Sequence, residues 1–278
     1  MIVGLLHPGQ MGSAVAARLT DAGHTVLWYP NGRSAATAER ASKARLQPSG
    51  LPELFAEAEI VLSICPAHTA SDVAALAAQH RYTGIFVDAN AVSPKRMRDI
   101  HRLLADTTTV VDAAISGRPP QEDQGPRIFL AGPDNDTAPV HTLFASSGLT
   151  SDQISPSVGA ASTLKMITAY NMRASRAQAA ISHALADMEG LSEVLITEAN
   201  NLGAHFLADR DFIPKAAARA WRWEKEMYEI AETLREANLP AESAEATAHV
   251  FRLWETMKDQ WDATPEEALQ HLRDRAED

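Results

Sequence analysis

Short apolar runs alternate with helical stretches along the first half of the chain. Runs typical of buried strands occur at Ile2–Leu6, His24–Tyr29, Ile60–Ile64, Gly84–Val87, Thr109–Val111 and Arg127–Leu130. Between the first two runs, Met11–Ala22 has apolar residues at helical spacing, and Gly23 follows where a C-cap glycine belongs. Strands that are apolar on both faces and separated by helices are typical of a parallel sheet covered on both sides. We therefore predict an α/β, doubly wound domain of Rossmann type over residues 1–155.

The pattern becomes helical after about residue 155. Val158–Met188 contains no proline and has apolar residues three or four positions apart, which predicts one helix of roughly 45 Å at 1.5 Å per residue. Further helices are predicted over Ser192–Leu207, Pro214–Asn238, Pro240–Asp259 and Thr264–Arg275. We predict an all-α domain over residues 156–278, joined to the first domain by the long helix. Because one subunit of this size does not bury so long a helix, we also predict a homodimer.

Charge and cysteine content narrow the class of partner. The 278 residues include 25 Lys and Arg against 36 Asp and Glu, a net charge of −11. Such a surface repels nucleic acid and anionic lipid, so neither is expected as a partner, whereas a local basic site can still take an anionic small molecule. The single cysteine allows no intramolecular disulfide and fits a cytoplasmic protein. The N-terminal apolar run lacks a basic leader and is interpreted as a strand, not a signal peptide.

The turn after the first apolar run carries most of a dinucleotide-binding fingerprint. It reads HPGQMG from His7 to Gly12. In the G-x-G-x-x-G pattern the first glycine makes the tight turn, the second lets the backbone approach the pyrophosphate, and the third lets the helix pack on the sheet. Gly9 and Gly12 fill the second and third positions, and His7 replaces the first. The predicted cofactor contacts at this turn are Pro8, Gly9, Gln10, Met11 and Gly12.

The residues after the second apolar run favour NADP over NAD. An NAD site usually has an acid here that binds the adenosine ribose, but this chain has none before Glu39. Arg33 supplies a guanidinium, and Asn31 and Ser34 supply neutral hydrogen-bonding groups, a set suited to a 2′-phosphate. The alternative is that Arg33 is a solvated loop residue. We predict NADP as the cofactor and these three residues as part of its site.

Four segments carry a family resemblance. They are GLLHPGQMGSAVAARL at the N-terminus, DANAVSP from Asp88, DAAISG from Asp112 and GAASTLK from Gly159. Together they resemble the β-hydroxyacid dehydrogenase superfamily, which includes 3-hydroxyisobutyrate and 6-phosphogluconate dehydrogenases, with imine reductases as relatives. The resemblance covers about the first 190 residues, and the C-terminal helices resemble a divergent branch. The resemblance implies hydride transfer between NADP(H) and a small carbonyl or hydroxy substrate.

The resemblance also implies roles for individual residues. Lys165 corresponds to the catalytic lysine, a general acid/base that supplies a proton or positive charge to the alkoxide formed on carbonyl reduction. Ser116 and Gly117 would anchor the substrate, and Asn90 would lie near the nicotinamide ribose. The alternatives are a surface lysine, an ordinary Ser-Gly turn and a turn-capping asparagine. Two cleft residues after a strand, Cys65 and Pro66, complete the predicted cofactor site.

The chain departs from the family pattern on the substrate side. The family usually has Asn four residues after the lysine, where this chain has Ala169. Reduction of C=N, as in imine reductases, is therefore an alternative, although those relatives commonly lack the lysine. A non-catalytic NADP-binding regulatory protein is a further alternative. The ten histidines show no metal-ligand spacing near acids, so no metal site is predicted.

Overall fold

The structure, a computed structural model, describes residues 1–121 and 125–274. The chain forms two compact units, Met1–Lys165 and Met166–Asp278. No helix in the described residues is long and apolar enough to cross a membrane.

An eight-stranded sheet forms the centre of the first unit. Its strands are β1 (Ile2–Leu5), β2 (Thr25–Trp28), β3 (Gln47–Pro48), β4 (Ile60–Ser63), β5 (Ile85–Asp88), β6 (Thr109–Ser116), β7 (Arg127–Ala131) and β8 (Thr150–Ser155). Their spatial order is β3-β2-β1-β4-β5-β6-β7-β8. Neighbouring strands are parallel except β6 and β7, which are antiparallel. The first six strands have the doubly wound order, which confirms the predicted fold class.

Helices cover both faces of this sheet. They are α1 (Gln10–Asp21), α2 (Ala35–Lys43), α3 (Leu51–Glu57), α4 (Ala70–Gln79), α5 (Pro94–Leu104), α6 (Asp134–Ser146) and the start of α7 (Ala160–Met188). Adjacent strand residues contribute to different core clusters: Ile60 and Leu62 belong to one, and Val61 between them belongs to the other. Because successive strand side chains point to opposite faces, the two clusters lie on the two sides of the sheet.

The sheet differs from the predicted one at its far edge. β6 continues through Asp112–Ser116, beyond the predicted end at Val111, because Ala113, Ala114 and Ile115 are all buried. The sequence pattern missed β3, which has only two residues. It also missed β8, whose mostly polar residues are largely exposed. An exposed edge strand lacks the apolar run by which buried strands are identified.

The second unit is helical, as predicted. It contains the rest of α7, followed by α8 (Ser192–Asn201), α9 (His205–Ala208), α10 (Ile213–Ala217), α11 (Ala220–Glu236), α12 (Glu242–Leu253) and α13 (Pro265–Asp274). The helix predicted over Ser192–Leu207 is interrupted at Gly203, which has a positive φ of 65° that ends the helix. The helix predicted over Pro214–Asn238 is likewise two helices, α10 and α11.

A buried carboxylate in the sheet caps the long helix. Asp112 Oδ2 accepts hydrogen bonds from the backbone N–H groups of Gly159 at 2.8 Å and Ala161 at 2.9 Å. Ser162 donates its backbone N–H to Oδ2 at 3.1 Å and its Oγ hydroxyl to Oδ1 at 2.7 Å. Ala161 is fully buried and packs with Ala114 and Ala131 of the sheet. Strand β6 therefore fixes where α7 begins and the position of its first residues.

The cap predicts that replacing Asp112 destabilises the protein far more than replacing an exposed aspartate. Asp112→Ala leaves several buried donors without an acceptor, and we expect the free energy of unfolding to fall by about 3 kcal/mol in urea titrations of the full chain. The control is Asp152→Ala, which removes an exposed ion pair with Arg127 and should cost at most about 1 kcal/mol. Equal losses in the two variants would contradict the cap's importance.

Candidate functional site

The glycine-rich turn joins β1 to α1 as the fingerprint requires. A Cβ on Gly12 would lie 2.8 Å from the His7 carbonyl oxygen and 3.5 Å from Leu5 Cδ1, so only glycine lets the helix pack this closely. A Cβ on Gly9 would meet nothing within 4 Å. Gly9 is the N-cap of α1. The second glycine thus leaves an open face at the turn, and the third provides close helix packing.

The first turn of α1 can receive an anion. It contains no acidic residue, and the first N–H groups of a helix lack acceptors within it. Gln10 is exposed, whereas Met11 packs against the core and Pro8 is buried. The backbone of this turn is therefore suited to a phosphate, while the Met11 side chain has a structural role.

Arg33 follows β2 with its side chain partly buried. Its Nε atom is inaccessible and has no hydrogen-bond partner among the described residues. Burial lowers the pKa of this guanidinium from its ordinary value. Asn31 is exposed, and Ser34 Oγ caps α2 by accepting from the Thr37 backbone N–H at 3.3 Å. Ser34 therefore already has a structural role, and Arg33 is the residue here with unused donor capacity.

Arg40 is a second basic residue at this turn, and the sequence analysis missed it. Its Nε donates to the Pro8 carbonyl at 3.2 Å, and its Nη2 donates to Thr37 Oγ1 at 3.0 Å. The first acid after β2, Glu39, is exposed and pairs with Lys43 at 2.7 Å. The sequence did offer a signal for it, because Arg40 is a second arginine, six residues after Ser34, on the helix that follows Arg33.

His7, in the place of the first glycine, is uncharged at neutral pH. Burial, together with the neighbouring positive charge of Arg33, lowers the pKa of its imidazole to about 4. The His7 carbonyl accepts from the Gly9 N–H at 2.8 Å, which closes the turn. The histidine therefore supplies the tight turn through its backbone and places a neutral ring beside Arg33.

Asn90 links the ends of β4 and β5. Its Oδ1 accepts from the Cys65 N–H at 2.6 Å, and its Nδ2 donates to Ser63 Oγ at 2.8 Å and to Asp88 Oδ2 at 3.0 Å. Both amide hydrogens are thus used inside the protein, the turn-stabilising role that the sequence left open. Pro66 is exposed at the start of the following helical turn.

Cys65 is not an activated nucleophile. Burial raises the pKa of its thiol to about 11, so the unreactive protonated form dominates at neutral pH. Its place after β4 still lies at the same edge of the sheet as the glycine-rich turn.

Lys165 of α7 lies against the end of β6, where its Nζ donates to the Ile115 carbonyl at 2.7 Å. Ser116 and Gly117, which follow Ile115, are exposed, and Gly117 has a positive φ of 123°. Three residues before the lysine, Ser162 bonds to Asp112. The lysine and the Ser-Gly pair, far apart in sequence, are therefore brought together.

All these groups follow the carboxyl ends of parallel strands. Along the sheet the order is Arg33 after β2, the glycine-rich turn after β1, Cys65 after β4, Asn90 after β5 and Lys165 against β6. Adjacent strands are about 4.8 Å apart, so the row from β2 to β6 extends roughly 19 Å. This edge is where doubly wound sheets bind their ligands. In the described ranges, no group of three or more His, Cys, Asp or Glu side chains could hold a metal ion.

Two families match separate parts of the chain. Residues 2–155 match the NAD binding domain of 6-phosphogluconate dehydrogenase, and residues 186–254 match a domain of unknown function, DUF1932. A probable 3-hydroxyisobutyrate dehydrogenase of Mycobacterium tuberculosis is 28% identical over 141 residues, which cover 49% of this chain and 47% of that protein. The match thus spans less than half of that curated relative.

Solved structures share the whole fold. The Mycobacterium tuberculosis 3-hydroxyisobutyrate dehydrogenase, solved with L-serine, has a TM-score of 0.75 at 18% identity, covering 98% of this chain and 99% of that one. A Streptomyces aurantiacus imine reductase has a TM-score of 0.62 at 18% identity, covering 97% and 99%. At these identities the likeness concerns the fold. The predicted resemblance to this superfamily is confirmed, and because the first family match covers more than half of the chain, the protein belongs to the family of the 6-phosphogluconate dehydrogenase NAD binding domain.

Proposed function

We propose that this protein is an NADP(H)-dependent oxidoreductase acting on a small carbonyl or hydroxy compound of 3-hydroxyacid type, with Lys165 as general acid/base. The observation that carries the proposal is the Lys165 ammonium, held 2.7 Å from the Ile115 carbonyl beside Ser116 and Gly117. These groups lie at the same sheet edge as the NAD-binding turn. We assign cofactor binding to residues 1–155 and the substrate and dimerisation roles to residues 156–278, in a cytoplasmic protein.

The residues at the turn fit a phosphorylated dinucleotide. Arg33 has a buried Nε without an acceptor, and Arg40 lies against the Pro8 carbonyl. A 2′-phosphate offers the acceptors that such guanidinium groups require. When bound, the cofactor supplies or accepts the hydride. The α1 N-terminus would hold the pyrophosphate, and Arg33, with Asn31 and Ser34, would hold the 2′-phosphate.

The protein's own contribution to the reaction is proton transfer and substrate orientation. The Lys165 ammonium would stabilise the negative charge that develops on the substrate oxygen, and Nζ would then give its proton to that oxygen and become a neutral amine. The Ser116 hydroxyl and the exposed backbone at Gly117 would orient the substrate, including a carboxylate if it has one. The Ile115 carbonyl holds the ammonium in position before substrate arrives.

Reduction of C=N is the second candidate. Ala169, in place of the family's usual asparagine, is buried and apolar, which removes a polar group from the position that commonly holds a hydroxyacid substrate. The presence of Lys165 favours C=O chemistry, because it can supply the proton that the alkoxide requires, whereas imine reductases commonly lack this lysine. A regulatory NADP-binding protein without turnover is the remaining alternative, and detected turnover would exclude it.

The second unit carries the surface expected of a homodimer. Large apolar side chains on α7 and α8 are between 49% and 71% exposed. They are Ile167, Met172, Ile181, Leu185, Met188, Val194 and, at the end of α8, Leu202, with Leu191 between the helices. Large apolar side chains exposed in such number on two successive helices are typical of a protein interface. We propose that a second copy of the chain covers it.

The cofactor assignment predicts a selective loss in Arg33→Ala. We expect NADPH to bind this variant about 10- to 100-fold more weakly than the wild type, because a charge-assisted contact to the 2′-phosphate is lost. NADH, which lacks that phosphate, should bind both proteins alike in calorimetric titrations. Arg102→Ala, on an exposed face of α5, is the control. Equal losses for both nucleotides would contradict the assignment.

The lysine assignment predicts a loss of turnover without a loss of cofactor binding. Lys165→Ala should lower kcat/KM by about 10²- to 10⁴-fold against 3-hydroxy acids and the matching carbonyl compounds. NADPH affinity should stay within about twofold of the wild type. The assay follows NADPH absorbance over a panel that also includes cyclic imines. Full activity in the variant, or turnover of imines alone, would overturn the C=O assignment.

The dimer predicts a defined mass. Light scattering should give twice the chain mass for the wild type across a range of concentrations. Leu185→Glu combined with Met188→Glu should give a monomer, because two charges would be buried in the interface. Leu103→Glu places the same charge on an exposed apolar residue of α5 and should leave the dimer intact. A wild-type monomer at all concentrations would exclude this proposal.

A further inference from the structure

His7 is the one position of the glycine-rich turn that departs in chemistry from the fingerprint. It lies between β1 and α1, half-buried, and its carbonyl closes the turn through the Gly9 N–H. A side chain at this place stands beside the backbone that approaches the dinucleotide phosphates. The fingerprint gives no reason for an ionisable ring there.

Two arginines and a helix N-terminus lie at the turn that contains His7. Arg33, from the loop after β2, acts on the imidazole directly. Arg40 of α2 bonds to the carbonyl of the next residue, Pro8. The first turn of α1 contributes its positive dipole end and has no acid.

Other titratable groups near Arg33 do not compensate this charge. They are the thiol of Cys65, whose raised pKa keeps it neutral, and the phenol of Tyr29. The two buried acids at this edge are engaged elsewhere: Asp88 acts on Cys65 and bonds to Asn90, and Asp112 bonds to the start of α7. The turn therefore has an excess of positive groups, with the Arg33 Nε still lacking an acceptor.

We propose that His7 is a basic ligand of the dinucleotide phosphates and takes up one proton from solvent when the cofactor binds. The inference rests on the proposed NADP(H) function and adds a residue to it. The proton goes to an imidazole nitrogen, and the resulting imidazolium donates a hydrogen bond to a phosphate oxygen. No covalent bond forms or breaks other than the new N–H.

The free and bound states then differ in protonation. Burial and Arg33 hold the pKa of free His7 at about 4, and a phosphate anion beside the ring raises the pKa in the complex. Between these two values the complex binds one more proton than the free protein. Affinity therefore rises as pH falls through this range, by up to about tenfold per pH unit. Above this range His7 is neutral in both states, and its protonation no longer makes the affinity depend on pH.

The test measures binding of NAD⁺ and NADP⁺, which withstand acid better than the reduced forms, by calorimetry between pH 5 and 8. Each titration is run in two buffers of different ionisation enthalpy, so that the protons taken up are counted in the wild type without any variant. His7→Asn, His7→Gly and the control His101→Asn are titrated alongside. Melting temperatures of the free variants show whether each one is folded.

On binding either nucleotide near pH 5, the wild type should take up between about 0.5 and 1 more proton than either His7 variant. His101→Asn should match the wild type. A difference with both nucleotides assigns His7 to the pyrophosphate, and a difference with NADP⁺ alone assigns it to the 2′-phosphate. Equal proton uptake in the wild type and folded His7 variants overturns this inference and leaves the NADP(H) function standing. Absence of binding by either nucleotide overturns both.

Discussion

The Asp112 carboxylate is the constraint on which the arrangement of the site depends. It lies in the middle of a sheet strand, fully buried, and accepts hydrogen bonds from the first residues of a 29-residue helix. A buried carboxylate in a protein interior is stable only when its oxygens are satisfied, and the open N–H groups of a helix end need acceptors equally. Each therefore fixes the other. Ile115 is three residues after Asp112 on β6, and Lys165 is three residues after Ser162 on α7. The Lys165 ammonium donates to the Ile115 carbonyl, so its position follows from the cap.

The electrostatics of the sheet edge contrast with those of the whole chain. The chain as a whole has a net charge of −11. Close to the glycine-rich turn, however, lie Arg33 of the loop after β2, Arg40 of α2 and the positive end of α1. A local basic site in an acidic protein attracts a small anion while the wider field repels polyanions. Composition alone therefore predicts no nucleic-acid partner, but it cannot exclude a phosphorylated cofactor.

Periodicity and the glycine spacing predicted the fold class, the first βα unit and the long helix, because each depends on local sequence. Contacts between residues that are far apart in sequence could not be predicted from these local patterns. Arg40 reaches Pro8 across 32 positions, and Asp112 reaches Gly159 across 47. Asn90 matched a family position, but its amide is occupied by Ser63, Asp88 and Cys65, which only the assembled sheet edge reveals. β8 was missed because an exposed, polar edge strand has no apolar run.

The two buried acids of this edge show how the site avoids accumulating negative charge. Asp88 and Asp112 are directly paired in register between β5 and β6. Burial raises the pKa of both, but the donors at the helix start stabilise the charge on Asp112. The N–H groups of Asn90 and the charge of Arg96 favour the charged form of Asp88, but burial together with the Asp112 charge raises its pKa to about 7. Near neutral pH the Asp88 carboxyl therefore holds its proton for much of the time, which limits the negative charge beneath the region that would receive an anionic cofactor. The fold thus places Lys165 through Asp112, while burial lowers the charge carried by the neighbouring Asp88.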